Sequence, residues 1–119
     1  MKGESHLRKP ADFTRLHRQG KYLGRPLLAV KSLPNGLSYS RWGVVVSKKL
    51  GNAVVRNRIK RRLREIMRQA ALKAGRDTVI IARPGAATVG FCDLRETLAE
   101  LLAKSELIKS DEIVGAVAN

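Results

Sequence analysis

Nine basic side chains fall between Lys48 and Arg68, in a segment whose only acid is Glu65. Seven of them, six arginines and Lys60, crowd into the 13 residues from Arg56 to Arg68. At helical spacing, like charges four residues apart repel, and an anion from outside the segment would relieve that repulsion. The preference for arginine is informative. Its planar fork donates in pairs to phosphate oxygens and base edges, and its flat face stacks on bases. Just upstream, Lys48 and Lys49 precede Gly51 and Asn52, and Asn52 suits the N-cap of a helix. The free backbone N–H groups of that helix start, beside two ammonium groups, form a second place for phosphate. The GxxxxGK[ST] spacing of a P-loop is absent.

Placed on a helical wheel at about 100° per residue, residues 55–70 sort cleanly. Val55, Ile59, Leu63, Ile66, Met67 and Ala70 form one apolar stripe. Asn57, Arg61, Arg64 and Arg68 take the opposite face, with Arg58 and Lys60 on its flanks and Arg56 and Arg62 nearer the stripe. The stripe demands a packing partner, and the arginine face is left to meet an anion. Two other readings compete. A merely solvated face would normally carry acids among the bases, and a membrane-surface helix would normally carry Trp or Phe anchors. The segment has Glu65 as its one acid and no Trp or Phe.

The side chains that could catalyse are scattered. The ten acids are Glu4, Asp12, Glu65, Asp77, Asp93, Glu96, Glu100, Glu106, Asp111 and Glu112, and none forms the paired pattern a two-metal nuclease needs. His6 and His17 could act as acid and base, which keeps a protein-only histidine nuclease open as an alternative. Cys92 is the only cysteine, so no internal disulfide can form, and with two histidines it offers no zinc set. The residues read as those of a binder.

Length and composition fit that reading. A chain of 119 residues supports one core and is too short for two, so a single domain over 1–119 is expected. Apolar residues make up 44% but aromatics only 4%, so the core must be aliphatic. A net charge of +14 disfavours a compact state through self-repulsion and calls for a polyanion: nucleic acid, anionic membrane or acidic protein. No run approaches the ~20 apolar residues of a membrane span. The opening MKGESHLRKP lacks an apolar signal core. The expectation is a cytoplasmic protein with no membrane partner, in a compartment where Cys92 stays reduced.

The elements that must hold the basic segment follow from pattern. Residues 10–19 predict a helix with Pro10 in its first turn and Gly20 closing it, Phe13 and Leu16 sharing one face. LLAVKSL (27–33) and RWGVVVS (41–47) read as strands joined by the turn residues Pro34, Asn35 and Gly36, which predicts an antiparallel hairpin. A short strand at 21–23 is weakly signalled. The long helix is expected over 52–74 and stopped by Gly75. DTVIIAR (77–83) is apolar on both faces and should be a central strand. Asp93 with Glu96 suggests a capping box opening a last helix whose Leu94, Leu98, Leu101 and Leu102 turn inward. The structured part should span about 7–108, with the tail 109–119 frayed.

GVVVSKKLGNAVVRNRIKRRLRE (43–65), with Arg56, Asn57 and Arg58 at its centre, resembles the signature of the bacterial ribonuclease P protein subunit. LRKPADFTRLHRQGK before it, DTVIIARPGA after it and the leucine-rich last helix extend the resemblance over roughly 7–108. The resemblance implies an α+β or α/β two-layer sandwich, with about four strands in a mixed sheet and three helices in the order α-β-β-β-α-β-α. It also implies a left-handed β-α-β crossover, against the usual hand, in a fold shared with a small-subunit ribosomal protein domain. It implies a subunit of the endoribonuclease that removes the 5′ leader of precursor tRNA. In that family the RNA is catalytic and requires Mg2+, the protein holds no cofactor and no catalytic residue, and no further protein partner is obligatory. Carried onto this sequence, the RNA-facing set is Lys48, Lys49, Asn52, Arg56, Asn57, Arg58, Lys60, Arg61 and Arg64. The cleft for the single-stranded leader is Phe13, His17, Leu28 and Val30. His17 and Val30 stand where the family often has aromatics, and Phe13 as plain core packing is the competing assignment. A ribosomal or architectural RNA-binding protein is the other function compatible with the charge.

Overall fold

A computed structural model describes Leu7 and residues 9–107, so the tail 109–119 lies outside the described residues. The elements run α1 (Pro10–Gln19), β1 (Lys21–Gly24), β2 (Leu28–Pro34), β3 (Arg41–Val45), α2 (Ala53–Arg68), β4 (Arg76–Ala82) and α3 (Phe91–Lys104). Short 3-10 turns at Lys48–Leu50 and Pro84–Thr88 precede α2 and α3. Pro10 opens α1, where a missing N–H costs nothing, and the Gly20 N–H closes it on the Leu16 carbonyl at 2.8 Å.

The four strands form one mixed sheet in the order β1-β2-β4-β3. β1 and β4 both run antiparallel to β2, whereas β3 runs parallel to β4. The weakly signalled first strand is real. The expected β2–β3 hairpin is not: β4 lies between them. The α2 crossover returns the chain parallel to β3, and β4 then satisfies backbone groups on both of its edges. Its run from Asp77 to Ile80 is buried, as a central strand requires.

Successive residues of each strand point to opposite faces. On one face Leu28, Val30, Trp42, Ile80 and Ala82 pack beneath α2 (Ile59, Leu63, Ile66, Met67) and α3 (Leu94, Leu98, Leu101, Leu102). On the other, Val79 packs with Leu7 and Leu16, flanked by Phe13, Leu33 and Ile81. This parity corrects the assignment of Leu28 and Val30 to a leader cleft. Both are fully buried beneath the α2 and α3 layer. The residues of β2 that face α1 are Ala29, Lys31 and Leu33. Apolar residues occupy both faces of β2, so its hydrophobic pattern alone does not tell the sides apart.

Two helix boundaries also differ from the pattern. α2 ends at Arg68, although 69–74 continues with helix-forming residues. Tertiary contacts override propensity there: the Lys73 N–H binds the Leu107 carbonyl, the Lys73 carbonyl accepts from the Ser40 hydroxyl, and Ala70 and Leu72 pack on the core. Gly75 instead turns the chain into β4, at φ +88. α3 opens at Gly90, so Asp93 sits within its first turn, where its charge complements the helix dipole without capping it.

Candidate nucleic-acid interface

The basic helix is prepared by the residues that start it. The Ser47 hydroxyl accepts from the Lys49 N–H at 3.1 Å, and the Asn52 side chain accepts from the Val55 N–H at 3.0 Å. The expected N-cap is therefore formed. Ile59, Leu63, Ile66 and Met67 are buried, while Asn57, Arg61 and Arg64 are exposed on the far side, as the wheel requires. Of the nine residues expected to face RNA, Lys48, Lys49, Asn52, Asn57, Arg61 and Arg64 are exposed, and Arg56, Arg58 and Lys60 are half-buried. All nine reach solvent.

Little on the protein neutralises that surface. Glu65 is matched by Arg68 at 3.0 Å. Arg56 donates to the Gly51 carbonyl, and Arg62 turns away to the Val89 carbonyl at 3.1 Å, tying α2 to the turn before α3. Lys48, Lys49, Arg58, Lys60, Arg61 and Arg64 meet no carboxylate among the described residues. Arg58 keeps its Nε shielded from solvent without a hydrogen-bond acceptor. Charges held this close without counterions form a strong anion-attracting field.

On the other face of the sheet, Phe13 and His17 project from α1 one helical turn apart. Together with Lys31, Val45, Val79 and Ile81 they line a cleft of about 230 Å³. Lys31 donates to the His17 carbonyl at 3.0 Å, with His17 Nδ1 at 3.5 Å. The cleft has an apolar floor, a cationic side and no carboxylate in its lining. Phe13 rests on Gly43, where a Cβ would come within 3.0 Å of the ring, so glycine is what admits the aromatic. Phe13 also borders a hollow of about 420 Å³ with Leu7, Trp42, Val44, Arg64 and Arg68. The ring therefore joins the cleft to the basic helix along the β3 edge.

Sequence reasoning missed Lys31, Val45, Val79 and Ile81 as cleft residues. The available signal was Lys31, the one charged residue of β2. A lysine in such a strand marks the face that stays open to water, and counting by twos from it excludes Leu28 and Val30.

An ionic clamp joins the apolar contacts of Leu16 and Phe13 in holding α1 over the sheet. Asp77 on β4 is fully buried and accepts two hydrogen bonds from Arg41, at 2.9 and 2.6 Å. It accepts two more, from Asn35 at 2.9 Å and from Arg15 of α1 at 3.1 Å. Asp12 of α1 adds a contact to Arg41 at 3.6 Å. Burial pushes the Asp77 carboxyl up, but the hydrogen bonds from Arg41 and Asn35 and the charges of Arg41 and Arg15 outweigh it. The net effect holds Asp77 below the usual carboxylate value.

The fold and this site define a small α+β protein with a strongly cationic helix on one side of its sheet and an apolar, cation-edged cleft on the other. The Ribonuclease P family profile matches residues 1–106. The ribonuclease P protein component of Dehalococcoides mccartyi strain CBDB1 is 46% identical over 114 residues, covering 94% of each chain. That of Caldanaerobacter subterraneus subsp. tengcongensis is 39% identical, covering 89% of this chain and 93% of its own. The solved Staphylococcus aureus RNase P protein superposes with a TM-score of 0.81 at 30% identity, over 90% of this chain and all of that one. The Thermotoga maritima RNase P protein gives 0.77 at 36%, over 85% and 97%. The chain belongs to the ribonuclease P protein component family, and so to the tRNA-processing endoribonuclease of that name.

Proposed function

We propose that this chain is the RNA-binding subunit of ribonuclease P, that it docks on the catalytic RNA through α2, and that its cleft takes the 5′ leader of precursor tRNA. The observation that carries the reading is the set of unmatched cations at Lys48, Lys49, Arg58, Lys60, Arg61 and Arg64. A folded RNA supplies phosphates at a density that the carboxylates of the described residues do not. Asn52, Arg56 and Asn57 complete the contact surface, with the helix start beside Lys48 and Lys49 as a second phosphate site. Phe13 and His17 bound the leader cleft, its floor formed by Val45, Val79 and Ile81.

Phosphodiester hydrolysis on this reading belongs to the RNA and its magnesium. The described residues bring together no group of three or more His, Cys, Asp or Glu side chains that could hold a metal, and Asp77 and Asp12 are engaged with arginines. His6 lies outside the described residues. His17 stands beside Lys31, with no acid–base partner near it among them. No helix among the described residues is long and apolar enough to cross a membrane.

The test is reconstitution. Protein and ribonuclease P RNA together should cleave precursor tRNA at low magnesium, and the protein alone should not. If α2 neutralises about six phosphates, log affinity against log salt should fall with a slope of about −5. Cleavage by RNA-free protein, or a flat salt response, would overturn the proposal.

A further inference from the structure

Tyr22 is half exposed on β1, the edge strand farthest from Phe13, and nothing so far has given it a role. Register places Tyr22 opposite Lys31, Lys31 opposite Val79, and Val79 opposite Gly43. These four residues form one row across the whole sheet, all on the α1 side. Phe13 rests on Gly43 at one end of the row, and Tyr22 is the other end. Three strand spacings separate them, roughly 14 Å.

The ring of Tyr22 is seated. It lies against Gly24, where a Cβ would come within 3.0 Å of two ring carbons and 2.7 Å of the phenol oxygen. Any other residue at 24 would lift it off the sheet. Arg83, exposed at the end of β4, donates to that oxygen at 2.9 Å and fixes the outer end. The result is an aromatic surface with one side backed by the sheet and the other open to solvent. Lys31 stands between the two aromatics in the row, and Arg83 reaches the second from the end of β4, so a chain crossing this face meets stacking surfaces with cations beside them. That is the pattern by which proteins hold single-stranded nucleic acid without reading its sequence.

We propose that Tyr22, seated on Gly24 and oriented by Arg83, is a second stacking surface for the single-stranded leader, at the β1 edge of the cleft. The proposal depends on the cleft being the leader site. A leader that crosses the sheet therefore gains from Tyr22, and a leader that stops near Phe13 does not.

The experiment uses holoenzyme assembled with its ribonuclease P RNA and precursor tRNAs carrying long, short or no leader. Tyr22→Ala should lower affinity for the long-leader substrate on the order of tenfold, and leave the short-leader and leaderless substrates unchanged. Tyr22→Phe, which keeps the ring but loses the phenol contact to Arg83, should show part of the loss, and Tyr22→Leu, which keeps bulk without an aromatic face, should behave like the alanine variant. Arg83→Ala should show part of the loss. Phe13→Ala separates the two levels of the argument. If it removes leader-dependent affinity while Tyr22→Ala and Tyr22→Leu do not, the cleft reading stands and the Tyr22 proposal falls. If Phe13→Ala has no leader-dependent effect either, both fall. Equal losses on all three substrates would also overturn the proposal.

Discussion

On one face of the sheet, α2 and α3 bury Leu28, Val30, Trp42 and Ile80 under a continuous aliphatic layer; on the other, α1 covers only part of what β2 and β4 present, and a buried carboxylate holds it there. The closed face draws its stability from area, at about 25 cal/mol per Å² of apolar surface removed from water. The open face cannot, because Val45, Lys31 and Tyr22 must stay accessible if the face is to bind anything. A short helix fixed by directional charge contacts solves that problem. Asp77 positions α1 without requiring it to blanket the sheet.

The comparison breaks most visibly at Ile59. Ile59→Ala leaves a cavity in the closed face and should cost about 2–5 kcal/mol by chemical denaturation. A variant as stable as the parent would mean that α2 is not held by that face.

Asp77→Asn tests the other strategy. It should cost about 2–3 kcal/mol, below the range for a fully buried pair because Arg15 and Arg41 keep part of their side chains in water. The pH dependence has a definite sign. Asp77 is depressed in the folded state, so its contribution is complete above the unfolded carboxylate value near 3.9 and is lost as pH falls through the lower folded value. Melting curves from neutral pH downward should show that acid-side loss in the parent and not in Asp77→Asn. Two coincident pH profiles would remove the clamp from the account.

Arg64→Ala should reverse the pattern of Ile59→Ala. Assembly with the RNA weakens by about 1–3 kcal/mol while the melting temperature stays put, because Arg64 is exposed and makes no ion pair among the described residues. Loss of fold together with binding would place Arg64 in the scaffold instead. The smallest effect belongs to Lys31→Met, which keeps the stem and removes one cation from the cleft. The salt slope for a leader-bearing substrate should shrink by about 0.7, the share of one single-strand phosphate, and that for a leaderless substrate should not change.

α2 was the most legible part of the chain, because its stripe repeats every three to four residues and the scarcity of acids, Glu65 alone, shows directly in the sequence. The N-cap at Asn52 and the central place of β4 were legible for similar local reasons. β2 was not. Leu28, Ala29 and Val30 are all buried, two on one face and one on the other, so the apolar residues alone do not separate the faces, and only Lys31 marks the open one. The false β2–β3 hairpin has a different cause. Turn residues at 34–36 show that the chain bends, whereas the insertion of β4 depends on a segment some forty residues later. Tyr22 escaped notice because four residues make a faint strand, and its pairing with Gly24 and Arg83 exists only once the strands are aligned.

β4 touches both halves of the sheet, and it is the last strand to leave the ribosome. Until residues 76–82 are available, the β1–β2 ribbon and β3 share no edge, and the floor under Ile59, Leu63 and Ile66 lacks Ile80 and Ala82. Distant pairings that must form before any local reward arrives slow folding and prolong exposure of apolar surface. A growing chain that has reached Arg68 thus carries its whole positive charge cluster with no shape to discipline it. The central strand is what gives that cluster a fixed shape.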